Sequence, residues 1–279
     1  MYAPSRARGV AYAGGLVALA ATSGELAARA GARAGIGRAV VLAAATWACL
    51  GGRSLAHEAT RLARHVEHGD LEAARAVLPS LCGRDAQTLD AEGLSRAALE
   101  SVAENTSDAV VGALLWGAVA GPGGVFAYRA ANTLDAMVGH HSERYSSFGW
   151  AAARLDDLLS WPAARLGAAL TALCAPAVGG SPRSAWRIAR RDGGSHPSPN
   201  AGRIEAAFAG ALDVRLGGPL AYSGAAEIRQ YLGDGPAPSV ADVRRAARLS
   251  LAVGSAAALT CAISRALLTS VNARIRAAG

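Results

Sequence analysis

The chain contains no lysine: all 28 of its Lys-or-Arg positive charges are arginine. That absence removes two classes of chemistry. A phosphate-binding P-loop requires its Lys, and a Schiff-base enzyme requires a Lys amine. Aromatic residues make up only 5% and charged residues only 18%. The net charge of +7 therefore does not describe a nucleic-acid interface, because the arginines are scattered between apolar blocks with few rings to stack on bases. Four cysteines in 279 residues, with no close pair, exclude a disulfide framework. Cys49, Cys174 and Cys261 lie in apolar stretches and are expected as buried thiols. The sequence also lacks metal-binding His/Cys spacings, a nucleophile elbow and a dinucleotide fingerprint. Disorder is excluded by an apolar share of 52%.

A bilayer crossing needs ~20 mostly apolar residues. Five segments approach this, at about 9–24, 34–52, 109–128, 158–182 and 249–273. Several reach full length only if Arg38, Arg165 or Arg265 snorkels or lies near an interface. The expected fold is all-α: one membrane-embedded domain over 1–279, with four to five apolar helices and long amphipathic helical or loop insertions. The first segment is read as a retained helix rather than a signal peptide, since no small-x-small cleavage site follows it. The polar stretches 53–108, 129–157 and 183–248 are too long for simple connections. In the first of them Leu55, Ala59, Leu62 and Val66 recur at helical spacing.

The third segment has a fault. Gly121-Pro122-Gly123-Gly124 stands in its middle, and Pro with flanking Gly breaks a helix. A broken or re-entrant hairpin is expected there, because non-helical backbone at membrane depth must line a cavity or be buried in protein.

Acidic groups flank this segment. Glu100, Glu104 and Asp108 are spaced to share one helical face. Asn132 and Asp135 share another, and Asp156-Asp157 follow. Paired carboxylates with Asn make an oxygen-rich group suited to Mg²⁺ and, through it, to a phosphorylated substrate. The same acids are alternatively structural partners for Arg144, Arg154 and Arg165. A third cluster runs from Arg190 to Gly202, followed by Glu205. Pro197 and Pro199 force extended backbone, Asn200 is placed to cap a helix over 201–211, and the arginines beside that helix start form an anion site.

Three blocks carry a more specific signal: ESVAENTSDAVV at 100–111, RAANTLDAMVGHHSERYSSFGWAAARLDDLLSWPAARL at 129–166, and RDGGSHPSPNAGRIEAAFAGALDVRLGGPLAYSG at 191–224. With LCGRD at 81–85, they resemble the signature blocks of the cobalamin biosynthesis protein CobD/CbiB family, in consistent order from about residue 9 onward. The resemblance implies a polytopic cell-membrane protein acting as an adenosylcobinamide-phosphate synthase. Such an enzyme joins adenosylcobyric acid, through the corrin f propionate, to (R)-1-amino-2-propanol or its O-phosphate. It also implies ATP with Mg²⁺, although the sequence holds no recognisable ATP fold, so a partner protein is an alternative source of activation. A non-catalytic AmpE-like membrane sensor on the same scaffold is the alternative function.

Roles follow on the matching positions. Glu104, Asp108, Asn132, Asp135, Asp156 and Asp157 are expected around Mg²⁺, with Glu104, Asp108 and Asp135 counted as catalytic. Arg84, Asn105, Arg154, Arg191, Asp192, Ser198, Asn200 and Gly202 are expected to bind substrate or phosphate. Glu205 or His196 is expected to take the proton from the attacking amine. The site is expected on the cytoplasmic side, which the Arg-rich 183–248 stretch favours. Family members usually begin with a further apolar helix and Asp-Pro and His-Pro-Val stretches that are absent here, so a start placed ~35–40 residues too late is expected, a genuinely shorter member being the alternative.

Overall fold

A computed structural model describes residues 5–139, 147–222 and 225–278. The fold is all-α, with ten helices among the described residues. In order these are α1 (Arg6–Arg33), α2 (Arg38–Cys49), α3 (Gly52–Glu67), α4 (Leu71–Val77), α5 (Ala91–Thr106), α6 (Gly112–Val138), α7 (Trp150–Cys174), α8 (Pro182–Asp192), α9 (Ala201–Leu212) and α10 (Val240–Ala278). One antiparallel hairpin, β1 (Leu216–Tyr222) with β2 (Ala225–Leu232), interrupts the helical order.

Five stretches are long and apolar enough to cross a membrane: Arg6–Arg33, Arg38–Glu67, Ala91–Val138, Trp150–Val178 and Val240–Val271. Their exposed side chains include Leu19, Trp47, Val119, Leu158, Leu173 and Leu259. Large apolar groups along such helices mark a surface solvated by lipid. The chain is a multi-pass membrane protein. Of the three cysteines expected in the core, Cys261 is buried, while Cys49 and Cys174 are half-buried.

The chain divides into two compact units. The first comprises 1–50, 112–163 and 257–279. Its centre is α6, which does not run straight. At Gly121 φ is +68° and ψ −157°, and Pro122 follows. Gly tolerates that backbone, and Pro supplies no N–H to bridge the break. The two limbs fold against each other. A Cβ on Gly112 would touch the Tyr128 ring at 2.2 Å, and one on Gly117 would reach Val125 Cγ2 at 3.0 Å. On a straight helix Gly112 and Tyr128 would stand about 24 Å apart, at ~1.5 Å per residue. Segment 109–128 is thus a helical hairpin.

Breaking a helix frees carbonyls at the end of the first limb. Arg265 Nη1 donates to Gly117 O at 3.3 Å and Ala118 O at 2.8 Å. Near the tip, Arg38 Nη2 pairs with Glu25 Oε1 at 2.9 Å. Two arginines that looked like obstacles to spanning are engaged within the protein, one with a carboxylate and one with backbone carbonyls.

The second unit comprises 51–111 and 164–256. Leu62, Leu78, Leu94, Leu99, Ile188, Phe208 and Leu249 fill its core with less than 2% exposure, each contributing ~1.5–3 kcal/mol by burial. The 3.6-residue stripe of α3 accounts for Leu55, Ala59 and Leu62, whereas Val66 is half-buried. The α5 helix ends in a π-turn at Ser107–Val111. The β-hairpin lay unrecognised in a stretch rich in Gly, Pro and Ser; it places buried Leu216 opposite buried Leu232.

Candidate functional site

In the second unit, α5, the 81–85 loop, the 193–200 loop, α9 and the β-hairpin bring together a buried polar cluster. Arg84 reaches Glu100 in an ion pair whose side chains are 7% and 4% exposed. The other carboxylate oxygen of Glu100 accepts from the Gly217 N–H at 2.7 Å. One carboxylate therefore ties the 81–85 loop and the first turn of β1 to α5. Ser101 Oγ donates to Leu81 O at 2.6 Å, and Asn105 Nδ2 donates to Ser101 O at 3.0 Å.

His196 and Glu205 are equally buried, at 7% and 4% side-chain exposure, with Nε2 and Oε1 3.8 Å apart. Arg229 Nη1 stands 3.0 Å from the same His196 Nε2. On the other side of the ring, Nδ1 lies 3.0 Å from the Ser198 N–H and 3.3 Å from the Ser198 carbonyl. With the proton on Nε2, Nδ1 accepts from Ser198 N and Nε2 faces Glu205. With the proton on Nδ1, that nitrogen donates to Ser198 O and Nε2 accepts from Arg229. The Nδ1-protonated ring has a hydrogen-bond partner at each nitrogen, whereas Glu205, at 3.8 Å, faces Nε2 within ion-pair but not hydrogen-bond distance.

Burial pushes the Glu205 carboxyl well above its usual range; the nearby Glu100 and Glu104 carboxylates push it further, while Arg84 and Arg229 pull it down. Gly202 is what lets His196 sit there. A Cβ at 202 would come within 2.2 Å of the His196 Cβ.

The expected helix over 201–211 is α9, but its cap differs. Asn200 makes no side-chain cap bond. Its Oδ1 accepts from Arg165 Nη1 at 2.8 Å, and Ser198 Oγ takes the Ala201 N–H at 3.1 Å instead. The bends and turns over 193–200, which hold Pro197 and Pro199, carry Ser198, not Asn200, to the open amide.

Glu100 and Glu104 stand four residues apart on α5, and Asp108 lies just past its end. Glu100 is buried, Glu104 exposed and Asp108 half-buried, and Asp108 sits in the π-turn. Arg191 lies on the surface between two acids, with Nε 2.6 Å from Asp192 and Nη2 2.6 Å from Asp234. Its hydrogen bonds hold Asp192 below the usual carboxylate range, helped by the Gly233 N–H.

In the first unit a second group forms around Asp156. Its Oδ1 accepts from Asn132 Nδ2 and from Ser160 Oγ, both at 3.3 Å. Tyr128 Oη lies 3.4 Å from Ser160 Oγ, and Arg129 Nη1 donates to Asn132 Oδ1 at 3.2 Å. The Asp135 and Asp157 carboxylates are close enough to repel Asp156. Arg154 pairs loosely with Asp157 at 3.5 Å. Arg144 lies outside the described residues. Neither unit by itself gathers three described His, Cys, Asp or Glu side chains that are able to hold a metal ion.

Of the expected residues the structure gathers Arg84, His196 and Glu205 in the second unit, and Asn132 and Asp156 in the first; the sequence did not single out Glu100 as the partner of Arg84, Arg229 beside His196, or Tyr128 and Ser160 near Asp156. Arg229 had no local signal, since only strand pairing brings it to the His196 loop.

Residues 2–250 match the family model described as CobD/Cbib protein. The chain is 59% identical over 217 residues to a cobalamin biosynthesis protein CobD of Mycobacterium tuberculosis (strain ATCC 25618 / H37Rv), covering 78% of this chain and 69% of that relative. It is 49% identical over 195 residues to one of Geobacter metallireducens, covering 70% and 61%. A third, of Pelobacter propionicus, is 46% identical over 186 residues, covering 67% and 58%. No solved structure matches the chain.

Proposed function

Because this chain belongs to the CobD/Cbib protein family of cobalamin biosynthesis, we propose that it forms the amide between the f propionate of adenosylcobyric acid and (R)-1-amino-2-propanol or its O-phosphate. The observation that carries this reading is the buried His196–Glu205 pair, 3.8 Å apart with Arg229 beside it. Amide formation from an activated carboxyl needs a base for the amine proton and cations for the oxygen charge. His196 takes the proton as the amine nitrogen bonds to the acyl carbon. Arg229 and Arg84 stabilise the oxyanion and the departing phosphate. Glu205 compensates the imidazolium charge.

ATP supplies the activating phosphoryl group in this reading. Mg²⁺ is typically held by one or two carboxylates together with phosphate oxygens. Asp156 with Asn132 and Asp135 is the carboxylate and amide group in the first unit that fits such a role, and Glu104 and Asp108 are the candidates in the second. Neither group is a complete protein cage. The site belongs on the cytoplasmic side of the cell membrane in this proposal.

The test is growth of a strain that lacks its own cobinamide-forming enzyme and is fed cobyric acid. The chain is expected to restore B12-dependent growth, and His196→Ala to abolish the rescue with the protein still in the membrane. Equal rescue by His196→Ala would overturn the assignment of the base.

A further inference from the structure

The second unit holds a cleft whose lining includes neither His196 nor Glu205. It has a volume of about 230 Å³ and is lined by Arg165, Ala168, Trp186, Ala189, Arg190 and Arg203, from α7, α8 and α9. Half of its lining residues are arginines, and none is acidic. Arg165 and Arg203 are close enough to repel each other. Like charges held together raise the energy of the empty site, and a bound anion removes that cost.

The donors are also incompletely used. Arg203 Nη1 donates to Ala189 O at 2.7 Å, which fixes the guanidinium at the cleft wall, while its buried Nε has no partner. A buried N–H without an acceptor is costly and marks a place where one belongs. Arg165 is held in position by Asn200 Oδ1 at 2.8 Å. Trp186 is about half exposed and closes one side.

We infer that this cleft binds a phosphate group, held by Arg165, Arg190 and Arg203 with Trp186 as an apolar wall. Planar guanidiniums match phosphate oxygens bidentately. The cleft is smaller than the ~300–1,000 Å³ pockets that enclose a whole drug-sized ligand. It therefore takes the phosphate head of a ligand and leaves the remainder outside. Two sources carry that chemistry: a soluble phosphomonoester and the headgroup of an anionic lipid. The proposed amide synthesis enters only as the use a soluble phosphate would have.

The experiment uses the whole chain purified in detergent and titrated with inorganic phosphate at constant ionic strength, against chloride. The readout is the fluorescence change that Trp186→Phe removes. A saturable phosphate response is expected. Arg190→Gln and Arg203→Gln are each expected to weaken it by about tenfold, as loss of a charge-assisted hydrogen bond does. Arg183→Gln, exposed on the same helix and outside the cleft, is expected to leave it unchanged. Arg190 lies at the surface, so its variant tests the site without disturbing the core.

Repeating the titration in bilayer discs separates the sources. If discs of phosphatidylcholine preserve the response and added phosphatidic acid abolishes it, the occupant is a lipid headgroup. If the response persists with phosphatidic acid, the occupant is soluble. No saturable response from the unaltered chain, or equal affinity in Arg190→Gln, Arg203→Gln and Arg183→Gln, overturns the inference. A chain that restores growth on cobyric acid yet binds no phosphate overturns this site alone. Phosphate binding without growth rescue overturns the reading of function and leaves the site standing.

Discussion

The ring of Tyr128 lies over Gly112, so close that a Cβ on Gly112 would come within 2.2 Å of its Cζ and Oη. This contact closes the α6 hairpin, and it makes Gly112 a packing requirement. Gly112→Val is expected to lower stability by ~1–3 kcal/mol through overpacking, seen as a fall in the thermal unfolding midpoint in detergent. Gly14, with open space around its Cα, is the control; Gly14→Ala is expected to leave the midpoint in place.

Arg265 is expected to matter for the same hairpin in a different way. Arg265→Leu leaves the Gly117 and Ala118 carbonyls without their guanidinium donor. A cost of ~1–3 kcal/mol follows for an unsatisfied buried acceptor. Faster amide exchange confined to 112–121 would register it. Unchanged exchange there would refute the capping role.

The Arg84–Glu100 pair is buried on both sides. Removing one partner strands a charge at ~3–5 kcal/mol, whereas replacing both is far milder. Glu100→Gln and Arg84→Met are each expected to destabilise strongly, and the double variant less than either. Additive losses in a double-mutant cycle would contradict the pairing.

Glu205 sets a pH dependence. Its carboxyl is raised in the folded state by burial first and by Glu100 and Glu104 next. Below the ordinary carboxylate pKa, folded and unfolded chains are both protonated there and the stability is fully present. As pH rises, the unfolded chain ionises while the folded one keeps its proton, so stability falls until the folded-state pKa is passed. Glu205→Gln is expected to flatten this decline in a pH series of unfolding midpoints. If Glu205 compensates the His196 charge, the amide-forming rate rises through the same raised pKa, and that limb disappears in the Gln variant.

Gly202→Ala is expected to displace His196, whose Cβ lies 2.2 Å from the added methyl. The amide-forming rate should drop at least ~10-fold, since misplacing a reacting group by about 1 Å costs up to ~100-fold. The unfolding midpoint, a readout independent of turnover, is expected to change little if the loop shifts freely.

Much of the architecture was decided by local properties that a sequence displays. Five apolar stretches of near-spanning length, the Gly-Pro-Gly-Gly break and the period of α3 each act over a few neighbouring residues, so the order of residues determined the membrane-spanning helices and the fault in α6. The candidate chemistry at His196, Glu205, Arg84 and Asp156 was visible for the same reason, as short blocks dense in polar groups. Their partners were not visible. Gly217 reaches Glu100, Arg229 reaches His196, and Ser198 displaces Asn200 as the cap of α9. Such choices depend on strand pairing, loop paths and the demand that every buried charge and amide find a counterpart. These are long-range conditions, satisfied only when the chain has folded. Periodicity carried no sign of the π-turn at Ser107–Val111 that takes in Asp108; that turn depends on how the helix end packs, not on residue spacing.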